Sequence, residues 1–246
     1  MYRTSVVWLL RCAGWWVLDY AYAGWWQLRS LFSRARAPGY RSGSLRPVVV
    51  LPGVYEHWRF MRPLIDAVHD RGHPVHVIDA LGLNLLPVAA AADTVRDYLE
   101  DQGLERVTVL AHSKGGLIGK ALMSGEAGQG RVERMIAICA PFSGSRYARR
   151  TRVPSLRAFS ADDPELRTLI ADISAHARIT SIAGVFDPHI PEGSELPGAR
   201  NIRLRTGDHF RILGRRATVA AVLEELGAGP QELGAGPQER GPSAGA

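Results

Sequence analysis

Apolar residues along this chain gather in short continuous runs, separated by longer stretches of helical periodicity. Pro47–Leu51, His73–Ile78, Arg106–Leu110, Arg134–Cys139, Ile179–Val185 and Ile202–Arg205 read as strands. Between and after them, residues 57–70, 89–102, 114–124, 164–175 and 210–226 carry apolar positions at helical spacing. Strands that are apolar throughout belong to a sheet covered on both faces, and their alternation with helices makes that sheet parallel. The predicted fold class is α/β, a mostly parallel central sheet with helices on both faces, over residues 47–226. An insertion at 142–176 breaks the rhythm and is expected to overhang the C-terminal edge of the sheet, as a cap or wall of a cleft. After the last helix, Glu225-Leu-Gly-Ala-Gly-Pro-Gln231 repeats as Glu232 to Gln238. That Gly/Pro-rich composition predicts a disordered tail over 227–246.

Ahead of the domain the pattern is different. Residues 5–32 hold Trp8, Trp15, Trp16, Trp25 and Trp26, all the tryptophans but Trp58. On a helix, at about 100° per residue, Arg11 and Arg29 share one narrow sector, with Asp19 and Ser30 near it, and the remaining circumference is apolar. A signal peptide fits poorly, because Arg11 interrupts the apolar core. A membrane span would bring Arg11 and Asp19 into the bilayer at high cost. The expectation is an interfacial helix within residues 1–36, its rings at headgroup depth and its polar face wet. Arg34, Arg36, Arg41 and Arg46 would follow as contacts for anionic headgroups. The competing arrangement is a helix packed on the domain or lying over its cleft, in a cytoplasmic protein. Pro38, Gly39, Ser42, Gly43 and Ser44 mark residues 37–46 as a linker.

Composition narrows the picture a little. At 246 residues, 46% apolar and 22% charged, the chain suits one globular domain with a sizeable core. The net charge is +6, and among the basic residues only Lys114 and Lys120 are lysine. No nucleic-acid-binding motif accompanies that charge, so a solvated basic surface is expected and no nucleic-acid partner. Cys12 and Cys139 form neither a disulfide framework nor a metal-ligand cluster. Cys139, in an apolar run, is expected to be a buried, inert thiol. No metal or cofactor is expected.

The chemistry centres on Ala111-His-Ser-Lys-Gly115, between the strand at 106–110 and the helix at 114–124. A serine on a sharp strand-to-helix turn stands out of the sheet, and the bend needs small residues two before and two after it. Such a serine needs a base to take its proton and a carboxylate to orient the base. In the order Ser, acid, His, each at a strand end, the candidates are Ser113, Asp187 and His209. Asp208 is adjacent to His209 and poorly placed for its far ring nitrogen. Asp162 and Asp163 lie in the insertion. His189 is the nearest rival base, and His112 is expected to pack behind the nucleophile. The developing oxyanion would be held by the backbone N–H groups of Lys114 and, from the loop after the first strand, Val54. The Lys114 side chain is expected to be a surface cation, the alternative being a contact to an anionic substrate group.

On these residues the chain resembles the α/β-hydrolases, and more narrowly the small bacterial triacylglycerol lipases with an Ala-x-Ser-x-Gly elbow. The segments that carry the likeness are Val48–Val54, Val109–Gly116, Ser181–Asp187 and Gly198–Ile202 running on to Gly207–His209. The family's usual His-Gly oxyanion loop reads Pro52-Gly53 here. Position 114, commonly Met or Gln in such lipases, is Lys. The resemblance implies a serine hydrolase of carboxylic esters of the lipase or esterase kind, acting on an acyl ester or lipid substrate. Thioester hydrolysis and acyl transfer use the same machinery. A non-catalytic binding protein on this fold is the alternative of another class.

Overall fold

The computed structural model describes residues 6–32, 36–125 and 130–228. Six strands, β1 (Val48–Leu51), β2 (Val75–Val77), β3 (Val107–His112), β4 (Val132–Ile138), β5 (Ile179–Gly184) and β6 (Arg200–Leu204), form one sheet in the order β2-β1-β3-β4-β5-β6. Every pairing is parallel. The helices are α1 (Val6–Phe32), α2 (Arg62–Asp70), α3 (Val88–Asp101), α4 (Lys114–Ser124), the short α5 (Pro154–Arg157), α6 (Pro164–Ala171) and α7 (Arg216–Gly227).

The continuous apolar strands are explained by two cores, one on each face. Val49, Leu51, Val109, Ala111, Met135 and Ala137 point to one side, against Leu99 of α3 and Leu117 and Ile118 of α4. Val48, Val50, Leu110, Ile136 and Ile138 point to the other, against Leu64 and Ile65 of α2 and Val222 and Leu226 of α7. Successive strand residues thus serve opposite cores, which is why no polar position interrupts β1 or β3 except Thr108 and His112. The exposed edge strand β6 carries Arg200 and Arg203, charges that oppose pairing with another chain.

Predicted element positions hold to within a few residues. The helix expected at 57–70 is a 3-10 turn, Trp58–Met61, followed by α2. The one at 210–226 is a turn, Arg211–Gly214, then α7. The tail's repeat lies, from residue 229 on, outside the described residues. Chain order reverses between β1 and β3, and in open α/β sheets the crevice beyond the strand ends at such a point is where ligands bind. The loop after β1 and the turn after β3 meet there.

The N-terminal segment departs from its expected arrangement. α1 lies on the domain through a stripe of Trp8, Cys12, Trp15, Asp19, Tyr22, Ala23 and Trp26, all buried or half-buried. Tyr22, Ala23 and Trp26 join the core under α2 and α7. Asp19, expected on a wet polar face, is 0% exposed at the centre of this stripe. The apolar outer face is what faces solvent, with Leu10 68%, Val17 62% and Phe32 78% exposed. No helix among the described residues is long and apolar enough to cross a membrane. Of the expected headgroup contacts, Arg34 lies outside the described residues and Arg46 is paired with Glu133 at 2.8 Å.

Candidate active site

Ser113 joins β3 to α4 with φ 49° and ψ −119°, a backbone that a non-glycine residue adopts only when its surroundings impose it. Its N–H donates to the Ile138 carbonyl at 2.9 Å, which fixes the turn to the neighbouring strand. The glycine two residues on is required by a close approach, because a Cβ at Gly115 would run into the Leu51 carbonyl oxygen.

The structure brings the three triad candidates together. His209 Nε2 lies 3.1 Å from Ser113 Oγ, and His209 Nδ1 lies 2.8 Å from Asp187 Oδ2. The other Asp187 oxygen accepts the N–H groups of His189 at 2.8 Å and Ile190 at 3.0 Å, so the carboxylate cannot swing away. A protonated Nδ1 facing the carboxylate leaves the Nε2 lone pair for the serine hydroxyl. Burial disfavours the charged form of both groups. It is outweighed by their mutual attraction together with the Asp19 and Glu56 charges near the imidazole and the two N–H groups on the carboxylate, so His209 is raised above the ordinary histidine value and Asp187 lowered below the ordinary carboxylate value.

The rival groups are engaged elsewhere. Asp208 accepts from Thr206, from Arg211 at 2.9 Å and from Arg215 at 2.9 and 3.0 Å. His189 lies tilted beside His209, ring centroids 4.8 Å apart, and burial pulls its pKa down to about 4. Asp163 caps α6 by accepting the Leu166 N–H. His112 does lie behind the nucleophile. Its Nε2 bonds the His209 carbonyl oxygen at 2.9 Å and its Nδ1 bonds Glu56 Oε2 at 2.8 Å.

Glu56 also accepts the Gly53 N–H at 2.8 Å, and the Tyr55 N–H goes to the Leu83 carbonyl at 2.8 Å. Two of the three consecutive amides in this loop are thus committed, and Val54, between them, is the loop's candidate donor. The Lys114 side chain is not the surface cation expected. It is buried, and its ammonium donates to the Asn84 carbonyl at 2.8 Å and to the Leu86 carbonyl. Burial pulls its pKa down to about 8, with Glu165 opposing. Asn84 in turn donates to the Pro52 carbonyl at 2.6 Å, so the lysine braces the loop that carries Val54.

The insertion is tied to the loops on both sides of this arrangement by hydrogen bonds. Ser155 bonds the Tyr55 hydroxyl at 2.8 Å, and Ser145 donates to the His189 carbonyl at 2.8 Å. A cleft of about 340 Å³ is lined by Arg146, Arg149, Arg150 and Asp162 of the insertion and by Glu192 of the loop after β5, and lacks Ser113 and His209. Among the described residues, one group could offer three ligand atoms to a metal, Cys139, Asp187 and His209, within 4.8 Å of one another. The carboxylate and imidazole of that group already bond each other. Burial, and then the Asp187 charge, hold the thiol well above its ordinary value, so the donor set suits a proton relay better than a cation.

Sequence reasoning assigns no role at this site to two buried carboxylates, Glu56 and Asp19. Glu56 carried no signal beyond its place three residues after Gly53. Asp19 carried one, as the lone acid in an aromatic segment. It accepts the backbone N–H groups of His209 at 3.1 Å, Phe210 at 2.8 Å and Arg211 at 2.7 Å.

Residues 48–232 match the sequence model of the alpha/beta hydrolase family. No curated sequence gives a significant match. Among solved structures, the chain is similar to the lipase BlEst2 of Bacillus licheniformis, with a TM-score of 0.57 at 15% identity, over 76% of this chain and 92% of that one. An esterase of Thermogutta terrifontis gives 0.57 at 15%, over 78% and 92%. The enol-lactonase of Burkholderia xenovorans gives 0.51 at 16%, over 75% and 92%. At these identities the likeness is one of fold.

Proposed function

The chain belongs to the alpha/beta hydrolase family, and from that premise we propose that it is a serine hydrolase cleaving carboxylic esters of acyl lipids through an acyl-enzyme. The observation that carries this reading is the continuous hydrogen-bonded chain from Asp187 through His209 to Ser113. Ser113 Oγ attacks the acyl carbonyl while His209 Nε2 takes its proton. The oxyanion forms against the N–H groups of Lys114, at the start of α4, and Val54. Collapse expels the alcohol with the proton from His209. Water then repeats the sequence on the acyl-enzyme, and Asp187 holds the imidazole in one tautomer throughout. The lipase and esterase neighbours, and the likeness of the motifs to small bacterial lipases, support an ester substrate. A fluorophosphonate probe tests the assignment, with a single covalent adduct expected on the peptide containing Ser113. An adduct on another residue, or none, overturns it.

The outer face of α1 favours a lipid surface as the place of action. Val6, Leu9, Leu10, Val17, Leu18 and Leu28 are exposed on it beside Trp16 and Trp25. Arg11 and Arg29 lie over the Trp15 and Trp26 rings at 5.3 Å, at the border where headgroup phosphates would sit. The protein is then peripheral to the membrane. Burying two such aliphatic side chains is worth about 1.5–3 kcal/mol each, so Leu10→Glu with Val17→Glu is expected to weaken binding to phosphatidylglycerol vesicles at least about tenfold. Hydrolysis of a water-soluble ester stays unchanged. Wild-type protein that fails to sediment with vesicles sinks the proposal, and so does a double variant that sediments as well as wild type.

A further inference from the structure

The N-terminal helix reaches both loops that carry the base and the acid. Trp15 packs over Gly207, where a Cβ would strike its ring, and stacks on Phe186, the residue before Asp187, at 6.5 Å. Tyr20 lies against the rings of His189 and Phe210. At the centre, the Asp19 carboxylate takes three consecutive backbone amides, those of His209, Phe210 and Arg211, from a segment 190 positions away in the chain. The peptide carbonyl of His209 is meanwhile held by His112 Nε2. The residue carrying the imidazole is gripped on its N–H side by α1 and on its C=O side by β3. Three convergent amides on one buried carboxylate make charge-assisted bonds, about twice as strong as neutral ones.

We propose that Asp19 is a positioning residue for the active site: α1, which precedes the domain, fixes the loop that presents His209 to Ser113. This rests on the triad reading above. The arrangement explains why an acid sits in the middle of an otherwise apolar helix stripe, where burial would ordinarily exclude it. It also gives α1 two unlike faces, the inner one holding the base and the outer one left for a partner.

The carboxylate also acts on the base through its charge. His209 is faced by Asp187 and His189 from the acid loop, Glu56 from the loop after β1, His112 from β3, Cys139 beyond β4 and Asp19 from α1. Asp19 is among the carboxylates that favour its imidazolium. Loss of that charge moves the acid limb of the pH profile to lower pH, a readout that loosened packing alone does not supply.

The test uses the full chain, a soluble chromogenic ester and rates normalised to active sites titrated with a fluorophosphonate. Asp19→Asn is expected to lower kcat by on the order of 10- to 100-fold through misplacement of the base. KM stays near wild type, and the acid limb of kcat/KM moves to lower pH. Asp19→Glu, which keeps the charge, returns the limb toward its wild-type position. Wild-type kcat and an unmoved limb in folded Asp19→Asn overturn the proposal while Ser113→Ala remains inactive. An active Ser113→Ala overturns the triad reading and this proposal with it. If Asp19→Asn is recovered only unfolded, Gly207→Ala levers Trp15 and α1 off the loop instead. A lowered kcat at constant KM then supports the proposal, and wild-type kcat overturns it.

Discussion

Ser113→Ala is expected to lower kcat for ester hydrolysis by on the order of 10⁶-fold, and His209→Ala by nearly as much, because the members of such a triad act as one unit. Asp187→Asn is expected to cost about 10⁴-fold, since the amide turns the imidazole to the wrong tautomer while leaving the geometry in place. Combining the substitutions adds little to the largest single loss. Residual activity over water would come from the Val54 and Lys114 amides, which do not depend on the triad side chains. The wild-type pH profile follows from the same residues. Nε2 works only as the free base. Because His209 is raised in this site, it stays protonated to higher pH than an ordinary histidine, whose value is about 6.5. Activity is therefore present above that raised value and lost as pH falls through it. An acid limb at or below about 6.5 in kcat/KM would contradict the raised value of His209. Initial rates across pH 5–9, at substrate well below KM, measure it.

What could be read in the sequence was whatever lies local to one strand end. Ala111-His-Ser-Lys-Gly115 announces a turn by its small residues and its flanking patterns, and Asp187 and His209 each stand just beyond an apolar run. The groups that hold those residues in place were hidden for two physical reasons. Asp19 and Glu56 act across 190 and 56 positions, through contacts that no periodicity encodes. Polarity also misdirected the sorting of faces. On α1, grouping Asp19 with Arg11 and Arg29 made a wet stripe, whereas the stripe that packs is Trp8, Cys12, Trp15, Asp19, Tyr22 and Trp26. Charge alone predicts a surface position for Lys114, yet the tight turn before it points its stem inward. There two carbonyl oxygens, of Asn84 and Leu86, take up the ammonium. In each case a buried charge is tolerated because backbone groups satisfy it, and composition does not report backbone groups.

Glu56→Ala is expected to be among the most destabilising single substitutions in the domain, at about 3–5 kcal/mol, against a total stability of the order of 5–15 kcal/mol. Glu56 is 2% exposed and His112 0% exposed, so neither can turn to water when its partner is removed. The His112 Nε2 faces a carbonyl oxygen, which only accepts, and therefore carries a hydrogen. Nδ1 faces Glu56 Oε2, the oxygen that also takes the Gly53 N–H. Truncation leaves the Gly53 N–H without its acceptor and the His112 Nδ1 without a partner, in a site sealed by β3 and the loop after β1. The surface pairs offer a contrast. Arg203 and Glu195, both exposed at 3.6 Å, are worth about 0–1 kcal/mol, and Glu195→Ala is expected to fall in that range. Activity should drop along with stability, because Gly53 precedes Val54 and His112 holds the His209 carbonyl. The one carboxylate thus ties the loop of Val54 to the loop of His209 behind Ser113. Urea unfolding followed by circular dichroism gives the stability difference. A Glu56→Ala protein within about 1 kcal/mol of wild type would show that the buried pair contributes no more than a surface one.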